Sequence, residues 1–134
     1  NEAIKNYSSA LEILNELKYE KGIAACLTSI GIVHHLQKNY EEADKYYKEA
    51  EQHAIFSGDK TQLGVTYSNM GIRYFSDKED ENALKYYKLA EELFTQAKDT
   101  FYLIEIYNKL GNYYEVTEKP SESKKYYSKA DELK

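Results

Sequence analysis

The chain has 134 residues, enough to bury one core but not two independent ones. Fifteen tyrosines, a single proline and no tryptophan suit packed helices, and a net charge of −5 spread over interleaved Lys, Glu and Asp excludes a basic footprint for nucleic acid or an anionic bilayer. Cys26 is the only cysteine, so no internal disulfide forms, and no apolar run is long enough to cross a membrane. A reducing, cytoplasmic setting is the default expectation; a periplasmic one follows if an export signal lay upstream of Asn1.

In chain order, apolar and small residues three and four apart predict helices over 1–18, 22–37, 40–57, 61–77, 80–97, 101–117 and 120–133. The first carries Ala3, Tyr7, Ala10 and Leu14 on one face. The second carries Leu27, Ile30, Gly31 and His34, and the third Ala43, Tyr47, Ala50 and Ala54. Asn39 with Glu42, and Asp59 with Gln62, read as capping boxes opening the third and fourth helices. Gly58 reads as a left-handed terminus, and Asp99 repeats Asp59 ahead of the sixth helix. Pro120 sits at the start of the seventh, where a first residue needs no amide hydrogen.

The segment ADKYYKEAE, from Ala43 to Glu51, returns as ALKYYKLAE from Ala83 and as SKKYYSKAD from Ser123, forty residues apart each time. Four files share this period: Gly31, Gly71 and Gly111; Ala10, Ala50, Ala90 and Ala130; Tyr7, Tyr47, Tyr87 and Tyr127; and Ala3, Ala43, Ala83 and Ser123. A mid-helix glycine costs on the order of 1 kcal/mol against alanine, so three at one register require a compensating close approach between helices. The expected partners of Gly31 are Ala43 and Ala50 across the hairpin, with the tyrosine ring one turn away closing the contact.

This pattern resembles the tetratricopeptide repeat. Tyr67, Met70, Gly71, Tyr74, Ala83, Tyr87 and Ala90 match that family's positions throughout, and Tyr107, Leu110, Gly111, Tyr114, Tyr127 and Ala130 match with Ser123 as the exception. His34 replaces the first-helix tyrosine in the first unit, where it is read as structural, and the family's terminal proline is missing. The longer-period members, such as kinesin light chains, LGN-like adaptors and bacterial Rap-type and sensor-kinase arrays, share this spacing, and FSGDKTQLGVTYSNMGI looks most like the bacterial ones. The resemblance implies an all-α, right-handed solenoid of antiparallel helix hairpins. It divides as the second helix of a truncated repeat at 1–18 and repeats at 22–60, 61–100 and 101–134, within a larger protein.

Hairpins this small stack to bury their apolar faces, and the first helix of each lines a concave trough. Positions three before, one after and four after each glycine should face it. These are Thr28, Ile32 and His35, then Ser68, Ile72 and Phe75, then Asn108, Asn112 and Glu115. The expected partner is a protein or an extended peptide segment, its apolar side chains on Ile32, Ile72 and Phe75 and its backbone on the two asparagine amides. Only Lys109 and Arg73 offer positive charge nearby, which argues against gripping a terminal carboxylate. Self-association through uncovered solenoid ends is the alternative role. No acid, base and nucleophile constellation is visible, and neither the three histidines nor Cys26 has ligand-spaced companions, so catalysis, a cofactor and a metal are not expected.

Overall fold

Every expected apolar stripe is a helix in the computed structural model, which describes residues 1–134. The order is α1 (Glu2–Leu17), α2 (Glu20–Leu36), α3 (Tyr40–Ser57), α4 (Lys60–Ser76), α5 (Asp80–Ala97), α6 (Thr100–Val116) and α7 (Pro120–Leu133), with no strand. Helix α2 begins two residues before the position the spacing predicts, and α4 and α6 each begin one residue early.

Two kinds of turn alternate. At α3–α4 and α5–α6, Asp59 and Asp99 stand in extended backbone, and each accepts a bond from the amide three residues on, Gln62 N at 2.8 Å and Tyr102 N at 3.2 Å. The Asp59 cap lacks the return bond of a full box, because the Gln62 side chain lies toward Thr66. At α2–α3 the expected Asn39 cap does not form. There Lys38 adopts φ 61°, its amide reaches His35 O at 2.9 Å and the Asn39 amide reaches His34 O at 2.9 Å. Asn39 itself has ψ 71°, short of the extended geometry a capping side chain needs, and its side-chain amide lies toward His34 Nδ1 at 3.5 Å.

Left-handed residues recur every twenty positions, as Lys18, Lys38, Gly58, Lys78, Lys98 and Glu118. Only Gly58 lacks the Cβ that this backbone disfavours.

The tight pairings are α2 with α3, α4 with α5 and α6 with α7, while α1 packs on α2. The glycine files sit inside these hairpins, but the group over each is the tyrosine ring itself. A Cβ on Gly31 would lie 2.6 Å from the Tyr47 ring, on Gly71 2.6 Å from Tyr87 and on Gly111 2.7 Å from Tyr127. Ala43, Ala50, Ala83 and Ala90 are buried in the same hairpins, and the Ala83 carbonyl also lies 3.3 Å from where a Cβ on Gly71 would stand. Ser123, the departure from the alanine file, donates its hydroxyl to Gly111 O at 2.9 Å, which is how a polar residue sits there buried. His34 stacks on Tyr46 at 5.3 Å, as Tyr74 does on Tyr86 at 5.5 Å and Tyr114 on Tyr126 at 5.7 Å, so it does the packing work of the missing tyrosine.

Between hairpins, α2 touches α4 and α4 touches α6, whereas the backbones of α3, α5 and α7 stay apart. First helices therefore crowd together and second helices splay, which curls the stack and puts α2, α4 and α6 on the inner wall. The chain is an all-α solenoid of stacked hairpins.

Candidate functional site: a groove between the fourth and sixth helices

On the inner wall, α4 and α6 diverge enough to leave an open recess of about 400 Å³ lined by Ile72, Phe75, Ser76, Glu105, Asn108, Lys109 and Asn112. It continues into a second recess of about 190 Å³ under Ser68, Asn69, Ile72, Tyr102, Glu105 and Lys109. The two sides differ in chemistry. Helix α4 contributes apolar Ile72 and Phe75, and α6 contributes Glu105, Asn108, Lys109 and Asn112 at helical spacing. Asn69 uses its side-chain N–H on Val65 O at 2.9 Å, whereas the amides of Asn108 and Asn112 are free on the groove wall.

Five of the nine residues expected in the trough thus meet in one place: Ser68, Ile72, Phe75, Asn108 and Asn112. Phe75 is half-buried, with its ring 5.4 Å from that of Tyr113, which holds it as a fixed apolar wall.

The other four lie elsewhere. Thr28 is 2 % exposed, and its hydroxyl is held between Ala24 O at 2.8 Å and the Thr66 hydroxyl at 3.0 Å, so it joins α2 to α4 beneath the surface. Ile32 is half-buried against the cluster of Ala43, Tyr47 and Met70. His35 reaches the next helix through Nε2 to Ser76 Oγ at 3.1 Å. Since the Ser76 hydroxyl donates to Ile72 O, its oxygen accepts from His35. Burial, with Arg73 adding to it, lowers the His35 pKa. Glu115 lies outside the groove, over a separate recess of about 460 Å³ with Ser123, Lys124 and Tyr127. On α2 the counting rule fails because the neighbouring helices cover its positions: α4 takes Thr28 through Thr66 and His35 through Ser76, and Ile32 packs on Ala43, Tyr47 and Met70.

Among the groove residues that the glycine count missed, Glu105 lines both recesses. Extending the Asn108–Asn112 stripe by one turn toward the start of α6 finds it.

The two candidate cations separate clearly. Lys109 lines both recesses. Arg73 is only 7 % exposed and turns away from the groove, its Nη2 bonded to Asp44 at 2.9 Å and its guanidinium 4.6 Å from the Tyr40 ring centre. With Arg73 enclosed, the groove has a single lysine, too little to grip a terminal carboxylate as several cations would. Elsewhere, burial raises the pKa of the half-buried Cys26 thiol, which disfavours the reactive thiolate. His53 hydrogen-bonds Glu20 across the α2–α3 hairpin.

Sequence profiles of the tetratricopeptide repeat match residues 1–55 and 23–96, and a second such profile matches 104–134. The chain belongs to the tetratricopeptide repeat family. These repeats serve as protein-interaction and scaffolding modules and are typically not catalysts. Among solved structures, the fold is similar to that of BtubC (BKLC) from P. vanneervenii, with a TM-score of 0.80 at 19 % identity over 97 % of this chain. The tetratricopeptide array spans about half of that chain, 54 % of its length. No curated protein matches. No helix of the array is long and apolar enough to cross a membrane.

Proposed function

We propose that the α4–α6 groove binds an extended segment of a partner protein, and that the array works as a docking or ligand-sensing part of a larger bacterial signalling protein. The observation that carries this reading is the two-sided groove: an apolar wall at Ile72 and Phe75, the latter packed on Tyr113, faces two free amides at Asn108 and Asn112. An extended chain presents side chains to one face and backbone N–H and C=O groups at its edges, so one side fits α4 while the paired amides answer the backbone.

The test is selection of displayed random peptides on the immobilised chain, followed by titration with the double variant Asn108→Ala, Asn112→Ala. Each lost amide should weaken binding by about tenfold, the equivalent of one net hydrogen bond of about 1 kcal/mol or slightly more. The helical melt should stay in place, because Asn112 is exposed and Asn108 only half-buried. Unaltered binding by the double variant contradicts this reading.

Self-association is a second reading, favoured by α1, none of whose residues is buried and whose Tyr7 and Ile13 are exposed. Light scattering that reports a monomer at every concentration would remove it.

A further inference from the structure

A different surface, away from the inner wall, carries its own signature. The turns α1–α2, α3–α4 and α5–α6 share one edge of the solenoid, and large apolar side chains stand out along it: Phe56 is 80 % exposed, Leu17 70 %, Phe101 66 % and Ile55 57 %. Two recesses flank the α3–α4 turn. One, of about 390 Å³, lies between Lys18, Tyr19, Glu20, Phe56 and Asp59; the other, of about 240 Å³, has Ile55, Leu63 and Leu93 as its apolar lining, with Asp59 and Lys60 at its side. Gly58 separates them with φ 72° and no atom within 4 Å of where a Cβ would stand, so the saddle between the recesses is open.

The charges at this edge are unevenly committed. Asp59 caps α4 and pairs with Lys21 at 3.2 Å, Asp99 caps α6, and Glu20 is bonded to His53. Lys18 and Lys60, one beside each recess, take part in no ion pair. Unpaired cations beside recesses that hold apolar groups, Tyr19 and Phe56 in one and Ile55, Leu63 and Leu93 in the other, fit a ligand with apolar side chains and carboxylates.

We propose that this edge is a second docking surface, for an acidic amphipathic segment of a partner protein that lies across the Gly58 saddle, places one apolar side chain in each recess and sets carboxylates against Lys18 and Lys60. This surface is independent of the α4–α6 groove, so the two can be occupied together.

The experiment uses two synthetic peptides of equal length and leucine content, one patterned with glutamate and one with lysine, titrated into the chain while backbone amide NMR shifts are recorded. The glutamate peptide should move amides in 17–21 and 54–63 and leave 105–112 in place, and its affinity should fall as salt rises. Phe56→Ser and Lys60→Glu should each weaken it by about tenfold, with melts unchanged because both side chains are exposed. Equal binding of both peptides, shifts confined to the groove, no binding at all, or preferential binding of anionic phosphatidylserine vesicles would each overturn the proposal.

Discussion

The two junctions between successive hairpins are built from different chemistry. Where α4–α5 meets α6–α7, aromatic and aliphatic groups form the largest core of the chain: Phe94 stacks on Tyr102 at 5.1 Å, and Tyr113 meets both Phe75 and Tyr87. Where α2–α3 meets α4, the apolar clusters are small, and polar stitches cross the boundary: Thr28 to Thr66, Arg73 to Asp44, His35 to Ser76 and Lys21 to Asp59. Apolar burial is additive and tolerant of small shifts, whereas a buried polar pair depends on both partners being present. The groove lies over the first kind of junction. A closely packed apolar floor under the groove, next to a more conditional seam, is what the comparison teaches.

The largest effect is expected in the apolar junction. Phe94→Ala should cost about 3–5 kcal/mol in chemical denaturation. Its ring occupies the space of a Cβ on Gly64, which would stand 2.5 Å from it, so Gly64→Ala alone should cost about 1–3 kcal/mol by overpacking. One repeat earlier the same two places are Ala24 and Ala54, both buried. In the Phe94→Ala background, then, Gly64→Ala should turn stabilising. Additive losses would break the size-exchange account.

The polar junction should respond to partner loss. Asp44→Ala leaves the enclosed Arg73 guanidinium with only the exposed Asp77 carboxylate, 3.6 Å away, and should cost about 1–3 kcal/mol, while Arg73→Met, which removes the charge and keeps the bulk, should cost under about 1 kcal/mol. If Arg73→Met is the worse of the two, the seam is held by charge and not merely tolerant of it.

The same junction should be sensitive to pH. The folded state holds His35 with a pKa below the ordinary 6.5, chiefly through burial. As pH falls, the unfolded chain takes up the proton first, so stability is complete above about pH 6.5 and declines below it through the folded value. His35→Gln should flatten that part of the profile in urea melts recorded across this range.

The smallest effect lies in the turns. Lys38→Gly and Lys78→Gly relieve left-handed strain at φ 61° and 59° and should each stabilise by about 0.5 kcal/mol, after the extra freedom of glycine in the unfolded chain is subtracted. Gly58→Lys should do the reverse.

Much of this architecture is legible in the residues. The glycine, alanine and tyrosine files name the hairpins and their period, because a repeated close approach demands the same small and large residues each time. Asp59, Asp99 and Pro120 place helix starts for local reasons that operate within four residues. What escapes is longer in range. Asn39 looks like a cap, and only its ψ of 71° and the turn of its side chain toward His34 show why it is not one. Left-handed Lys and Glu carry no signature, since glycine is the residue that normally marks such a turn. Thr28 and Phe75 occupy different offsets from their glycines, yet whether either faces open groove is decided by the next hairpin. Nothing local to Thr28 announces that Thr66, thirty-eight residues on, will take its hydroxyl.

Native-state hydrogen exchange under increasing denaturant tests the central claim directly, because it reads each helix's opening separately. The account predicts that α5 and α6 exchange only with global unfolding, while α2 and α3 open earlier as a unit and leave the groove between α4 and α6 intact. Loss of α4 and α6 protection before that of α2 and α3, or one uniform opening of all seven helices, would contradict it.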